Sequence, residues 1–409
     1  MREGWEKCHL EDYIKLIDYR GRTPVKTESG VRLITAKNVK LGYLQLEPQE
    51  FIHPDEYESW MTRGIPNFGD VIFTTEAPLA NVAQLDTTEK VAFAQRIIVM
   101  QPQKNKIDQT FLKYLLLSDS VRNEILQKGT GATVQGIKSS LLKKIQLYLP
   151  PLPEQHRIVA ILDEAFAAIA KAKANAEQNL KNAKELFESY LQGVFEQRGD
   201  GWEEKTLGEL ATFRNGMNFT KSSKGEQIKI VGVKDFQNNF WVPFEALDTV
   251  TLDGKLNDLD SLREGDILAV RSNGNPQLIG RTLLASQVVG KVSHSGFTIR
   301  IRLNSKIIDP IYLCNFLKIA KTRKTLIDGG NGVGIKSLNQ GSLSSLVVLF
   351  PKNLTTQQSI IQKLDALSAQ TKKLEAIYQQ KINDLEELKK SILQKAFSGE
   401  LKTAEMLAV

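Results

Sequence analysis

The first four residues of a motif near the N-terminus, Gly4-Trp5-Glu6-Lys7, return as Gly201-Trp202-Glu203-Glu204. The two copies stay alignable from there almost to the C-terminus. Gly69-Asp70-Val71-Ile72 answers Gly265-Asp266-Ile267-Leu268, Ile137-Lys138-Ser139 answers Ile335-Lys336-Ser337, and Leu191-Gln192 with Phe195 answers Leu393-Gln394 with Phe397. Solenoid and propeller repeats have periods of roughly 20 to 50 residues. A spacing of about 200 therefore predicts two similar globular units, each with its own trailing segment, and two of whatever the unit binds.

The 409 residues, 41% hydrophobic and 25% charged, supply two cores of ordinary domain size. No apolar run reaches the roughly 18 residues of a membrane span, and Met1-Arg2-Glu3-Gly4-Trp5-Glu6 lacks a signal-peptide core, so a soluble cytoplasmic protein is expected. Cys8 and Cys314 occupy non-equivalent places and are too few for a disulfide framework or a metal site. The net charge is +7. From Glu154 to Gly199 seven acids face six bases, and from Thr355 to Val409 seven face eight, so the positive excess belongs to the globular parts. Such an excess fits a polyanionic partner.

The trailing segments carry the clearest periodicity. After Pro150-Pro151-Leu152-Pro153, with Pro153 suited to a first helical position, Ile158, Leu162, Ala165, Ile169, Ala172, Ala176, Asn179, Ala183, Phe187, Tyr190 and Val194 step by fours and threes. The second segment opens on Thr355 and Gln358 at capping-box spacing. Its seam reads Ile360, Leu364, Leu367, Thr371, Leu374, Tyr378, Lys381, Leu385, Leu388 and Ile392, the first register shifted by 202, with Lys381 matching Asn179 as a polar interruption. Each helix should run about 60 Å. An alanine-rich seam against a leucine-rich one favours mutual packing, and antiparallel pairing would give a rod with a globular domain at each end.

Within each half, short β-rich runs (Val31–Ile34, Asp70–Phe73, Arg96–Met100, Asp266–Val270, Phe297–Ile301) alternate with helical patterns at Thr110–Leu117 and Ile311–Leu317, which predicts a mixed α+β domain. Catalytic signatures are missing. No GxxxxGK[ST] occurs, Gly330-Asn331-Gly332-Val333-Gly334 lacks the strand and helix of a nucleotide loop, and Gly341-Ser342-Leu343-Ser344 reads as a turn. His9, His53, His156 and His294 have no partner at metal-ligand spacing, and the Asn/Asp-Pro-Pro-aromatic tetrapeptide of amino-methyltransferases is absent. No catalysis and no cofactor are expected of this chain alone.

The whole chain resembles the specificity subunit of type I restriction-modification systems. The resemblance rests on Pro151-Leu152-Pro153-Glu154-Gln155 with Ile158, on Ser391-Ile392-Leu393-Gln394-Lys395-Ala396-Phe397-Ser398-Gly399-Glu400-Leu401, and on Gly129-Thr130-Gly131-Ala132-Thr133 and the Gly-Asp strands. Phe350-Pro351 departs from the double proline of the first copy, and the first helix is unusually alanine-rich. The resemblance implies an α+β fold: two similar target-recognition domains separated by two long antiparallel coiled-coil helices, in a pseudo-two-fold internal repeat. The domains fall at 1–150 and 200–352, with spacer helices at 151–199 and 353–409. Each domain would read one half of a bipartite site on double-stranded DNA. The helices would set the spacing and dock methyltransferase subunits, two in number, with restriction subunits joining through the complex. S-adenosylmethionine and the catalytic residues would belong to those partners.

Loop Arg and Asn can read guanine and adenine edges, while Lys more often anchors phosphate. The candidates are Arg20, Lys26, Lys37, Asn38 and Lys138 in the first half and Arg214, Asn215, Lys221, Lys234, Arg271, Asn273 and Lys336 in the second. A coiled-coil scaffold that binds no DNA, a compact nuclease, and a DNA-binding specificity subunit of a related type II system remain as alternatives. A scaffold would show no salt-dependent DNA affinity, and a nuclease would show metal-dependent activity from the lone chain.

Overall fold

The computed structural model describes residues 4–19, 23–131, 133–196, 199–220, 222–237, 239–328, 337–398 and 400–401. The chain divides into two compact units, one drawn from Met1–Ala176 with Gln380–Val409 and the other from Glu177–Gln379.

In the first unit, strands Ile14–Asp18, Ile97–Pro102, Val71–Thr74 and Val82–Gln84 lie side by side in that order as an antiparallel sheet. A three-stranded sheet places Val31–Ile34 between Phe51–Ile52 and Val91–Phe93, and Glu6–His9 pairs with Gln146–Leu149. All four residues of Val71–Thr74 are buried because the sheet is covered on both faces. Alternate side chains point opposite ways. Val71, Phe73, Ile98 and Met100 pack with Phe111, Leu112 and Leu115 of helix Gln109–Leu117, while Ile72, Ile97 and Val99 meet Leu33, Ile34 and Phe93 of the smaller sheet.

The second unit repeats this plan. Its four-stranded sheet runs Ala211–Asn215, Thr298–Leu303, Ile267–Val270, Thr282–Leu284, and its three-stranded sheet centres on Gln227–Val231. The Gly-Asp signals do the same work in both copies. Gly69 and Gly265 take φ +87° and +84°, conformations open to glycine, and the next carboxylate, Asp70 or Asp266, accepts the backbone N–H three residues earlier at 2.7 Å. One repeat alignment shifts. The N–H of Ile137 donates to Thr75 O, and the N–H of Leu338 donates to Arg271 O in the same way. The structural counterpart of Ile137-Lys138 is therefore Leu338-Asn339, not Ile335-Lys336.

Two helices of 45 residues, Leu152–Glu196 and Leu354–Ser398, follow the domains. The first begins one residue before Pro153. The second is capped by Asn353, whose Oδ1 accepts the N–H of Thr355 at 2.8 Å, so Thr355 is not the cap that its spacing to Gln358 suggested. In each helix the fourth residue is a fully buried glutamine, Gln155 or Gln357. The Gln155 amide accepts from Asp108 N at 2.9 Å and donates to the carbonyls of Lys106 and Pro150, at 2.9 and 2.8 Å. Gln357 makes the same three bonds to Asp309 N, Ile307 O and Pro351 O, each at 2.8 Å.

Helix pairing within the first unit is antiparallel. Lys173 Nζ meets Glu386 at 2.6 Å, and Lys389 lies 5.0 Å over the ring of Phe166, so position falls along one helix as it rises along the other. The observed seam departs from strict heptads midway. Asn179 and Lys381 are exposed and the inward row passes instead through half-buried Leu180 and buried Ile382, then returns to the expected seam at buried Ala183 and half-buried Leu385. The polar side chain of each seam turns to solvent and its apolar neighbour takes the inward place. Tyr190 is likewise exposed, while Leu191 and Phe195 are buried. Gly341–Ser344 lies within a short helix, Gln340–Ser344, capped by Asn339, where a turn was expected. Cys8 and Cys314 are buried free thiols, with burial raising Cys8 to about 11.

The seam shift is testable. Ile382→Ala should lower the stability of its unit by about 2–4 kcal/mol through lost burial and a cavity, whereas Lys381→Ala should stay within about 0.5 kcal/mol. Urea midpoints of the two variants would be compared; equal losses would contradict the observed register.

Candidate nucleic-acid interface

At one end of each four-stranded sheet the loops converge on a cleft. In the first half, three segments build it: the hairpin connection 75–81, the residues 94–96 that precede strand Ile97–Pro102, and the approach to helix Ser139–Lys143. The lining includes Glu76, Gln95, Arg96, Thr130, Gly136 and Lys138 around a cavity of about 370 Å³. Hydrogen bonds stitch the segments together. Thr75 N donates to Arg96 O at 2.9 Å, Ile137 N donates to Thr75 O at 3.0 Å, and Thr130 and Gly136 exchange both backbone bonds, at 2.8 and 2.9 Å. Gly131 (φ +126°) closes the small loop between them, where a Cβ would lie 2.1 Å from Val134 O. The Gly129-Thr130-Gly131 signal is thus the hinge of a tight turn beside the cleft.

Backbone strain concentrates at the same end. Among the described residues, Ala77 (φ 47°), Ala80 (φ 64°) and Arg96 (φ 78°) are the non-glycine positions with positive φ, and all three belong to these segments. Such conformations persist where the surroundings over-determine them, and they gather at binding sites. Thr74 helps to hold the hairpin, donating from Oγ1 to Pro78 O and accepting from Asn81 N. Arg96 Nε reaches Glu76 at 2.8 Å, with both side chains nearly half exposed.

In the second half the equivalent hairpin connection, 271–281, is four residues longer than 75–81. Arg271 N donates to Phe297 O at 2.8 Å, the bond that Thr75 makes to Arg96. Phe297 therefore stands where Arg96 stands, and its side chain is 60% exposed. Ser272, Asn273, Pro276, Gln277, Phe297 and Arg323 line this second cleft.

The candidates of the sequence are distributed unevenly. Lys138 lies exposed in the first cleft; Arg271 and Asn273 sit in the second hairpin connection, and exposed Asn215 ends a strand at that same sheet end, opposite Ile299. Lys26 and Lys37 share Glu50, at 2.7 and 3.6 Å, and Lys234 pairs with Asp248 at 2.6 Å; none of the three lines either cleft. Arg214 is bound to Asp260 in a polar cluster with Arg300, Arg302 and His294. Burial beside Arg300 pushes His294 down to about 3, so it is neutral at physiological pH. Arg20, Lys221 and Lys336 lie outside the described residues.

Asn38 is withdrawn as a reading residue. It is 1% exposed, its Oδ1 accepts from Thr35 N and Oγ1, and its amide donates to Gln45 O and Pro48 O, so no bonding capacity is left for a base. Asp235 clips the equivalent turn by accepting from Gly232 N. Glu76 and Gln95 carry no motif in the sequence, and Arg96 and Phe297 merge there with the β-rich runs they head. The available signal was their matched position ahead of equivalent strands.

Two mixed α+β domains, each fastened to a long helix and each ending in a preorganised loop cleft, define a tandem recognition protein. A family model, Type I restriction modification DNA specificity domain, matches residues 2–181 and again 199–387. The chain belongs to this family. It is 27% identical over 317 residues to the StySPI specificity subunit of Salmonella potsdam, covering 74% of this chain and 67% of the relative, and 25% identical to the EcoKI specificity subunit of Escherichia coli K12, covering 74% and 68%. The MjaX specificity subunit of Methanocaldococcus jannaschii aligns over 98% of this chain and 94% of its own length at 23% identity. The fold matches a chain solved in work on assembly and conformational transition of the type I R-M system (TM-score 0.77, 19% identity, covering 98% of this chain and 99% of that one). It also matches the HsdS subunit from Thermoanaerobacter tengcongensis (0.60, 20%, 98% of each).

The placements separate structural from exposed polar residues. Asn38→Ala should cost about 1–3 kcal/mol by leaving turn groups unpaired, and Lys138→Ala should change stability by no more than about 0.5 kcal/mol. Thermal unfolding of both variants checks this, and an unaffected Asn38→Ala would return that residue to the candidates.

Proposed function

We propose that this chain is the sequence-specific DNA-binding specificity subunit of a type I restriction-modification complex, with each globular half reading one half of a bipartite site. The observation that carries the reading is the pair of equivalent clefts: one backbone framework, repeated, presents different side chains at the same place. Two binding modules joined through helices turn two short half-sites into one composite site and gain affinity by effective concentration. The long helices serve as spacer and as docking surface for two methyltransferase subunits, through which restriction subunits join. Catalysis and S-adenosylmethionine are assigned to those partners, and the complex to the cytoplasm. None of the described helices is long and apolar enough to cross a membrane, and no group of three or more His, Cys, Asp or Glu among the described residues could hold a metal ion.

The remaining candidates divide by chemistry. Lys138, Lys26, Lys37 and Lys234 suit phosphate contacts, and Arg271, Asn273 and Asn215 suit base edges. Basic residues outnumber acidic ones by 20 to 18 in 1–150 and by 20 to 15 in 200–352, so the second half supplies more of the attraction.

Binding of duplex DNA by the complex assembled with its methyltransferase subunits should weaken steeply with salt, log K falling by about 0.9 per phosphate neutralised. Titration from about 50 to 200 mM salt should cost at least tenfold in affinity. A flat response would favour the scaffold reading.

A further inference from the structure

The two halves share their backbone and differ at one exposed point of it. The residue that heads the second strand of each four-stranded sheet is fixed by the same hydrogen bond, Thr75 N to Arg96 O in one half and Arg271 N to Phe297 O in the other. In the first half that residue is an arginine held at φ 78°. Its guanidinium lies 2.8 Å from the Glu76 carboxylate, with the two side chains 46% and 41% exposed. In the second half it is an exposed phenylalanine, and the residue after Arg271 is Ser272 in place of the acid.

An exposed ion pair of this kind contributes about 0–1 kcal/mol to stability, which does not account for an arginine in the left-handed region, a conformation costing on the order of 1–3 kcal/mol. What the conformation achieves is placement. It aims a planar five-donor group into a cleft already walled by Thr130, Gly136 and Lys138, with an acceptor-only group alongside. Glu76 is itself anchored by an isolated backbone bridge to Gly136, and a Cβ at Gly136 would stand 3.2 Å from the Glu76 Cβ, so both partners sit on a tightly packed frame. A guanidinium beside a carboxylate matches one base pair in the major groove. Arginine donates twice to guanine O6 and N7, and a carboxylate accepts from cytosine N4.

We propose that Arg96 and Glu76 are the specificity-determining pair of the first half, reading one G·C base pair, Arg96 on the guanine and Glu76 on the cytosine. This rests on the DNA-specificity reading given above. At the equivalent point of the second half the Phe297 side chain has no hydrogen-bonding group and contributes apolar contact, so the two half-sites differ in chemistry at corresponding places. The pair gives up its mutual contact as each member takes its base partner, and the exposed geometry makes that exchange cheap.

The test uses the complete complex with its methyltransferase subunits and a set of duplexes carrying the cognate site with one base pair changed at a time. With the native chain, one G·C pair in the first half-site should show a discrimination of about 5- to 150-fold against the other base pairs. In Arg96→Gln that discrimination should fall below about threefold, while discrimination at every other position, including the whole second half-site, persists within the same factor. Glu76→Leu, which is close in size and has no acceptor, should relax the same base pair and no other. The proposal is overturned if either variant keeps the native profile, or if relaxation appears in the second half-site. It is also overturned if the variants bind no duplex specifically, because that outcome assigns these half-exposed side chains a structural role. A native complex without preference among duplexes would instead defeat the underlying DNA-specificity reading, which the control with the native chain reveals before any variant is measured.

Discussion

Neither domain core closes on its own residues. In the first unit the cluster around Phe111, Leu112 and Leu115 takes in Ile158 and Leu162 from the start of one long helix and Ala396, with Phe397 and Leu401 beside it, from the end of the other. The second unit does the same with Ile361 and Leu364 from one helix and Leu191 and Phe195 from the other. The contacts correspond residue by residue: Phe397 packs on Phe111 with ring centroids 5.4 Å apart, and Phe195 on Tyr312 at 5.0 Å. Burying such a ring contributes about 1.5–3 kcal/mol, and the aromatic pairing adds about 0.5–1.5. The helices are structural parts of both cores.

The buried amides of Gln155 and Gln357 fix the direction in which each helix leaves its domain. An apolar contact tolerates sliding. Three hydrogen bonds from one planar amide do not, because every misplacement strands a buried donor or acceptor at about 1–3 kcal/mol each. Apolar packing thus supplies the affinity of helix for domain, and the glutamine supplies the angle. A recognition cleft is useful in a composite site only if its direction is set, and each cleft stands on a sheet whose covering helix, Gln109–Leu117 or Pro310–Lys318, is preceded by the aspartate whose N–H the glutamine binds.

Much of this was legible in the residues. The repeat gave the duplication, the proline-rich entrance and the three-four periodicity gave the helices, and the β-runs fell within a residue or two of the observed strands, from Val31–Ile34, which matches, to Thr298–Leu303. What escaped had a common cause. The seam shift at Leu180 and Ile382, the counterpart of Lys138 at Asn339 and the burial of Asn38 all depend on which way a side chain faces, and short stretches of sequence leave that open. Arg96 and Phe297 escaped for the opposite reason. Heading apolar strands, they read as their first residues, and only the backbone bonds to Thr75 and Arg271 reveal that they stand outside the sheet on the same spot.

The central claim is that one framework, used twice, reads two half-sites independently. Exchanging residues 201–350 for the equivalent region of a related specificity subunit tests this most directly. Methylation would be mapped by sequencing the DNA of a host carrying the complete system. The account predicts that the half-site read by the second domain changes to that of the donor and the first half-site stays as it was. Alteration of both half-sites would contradict it.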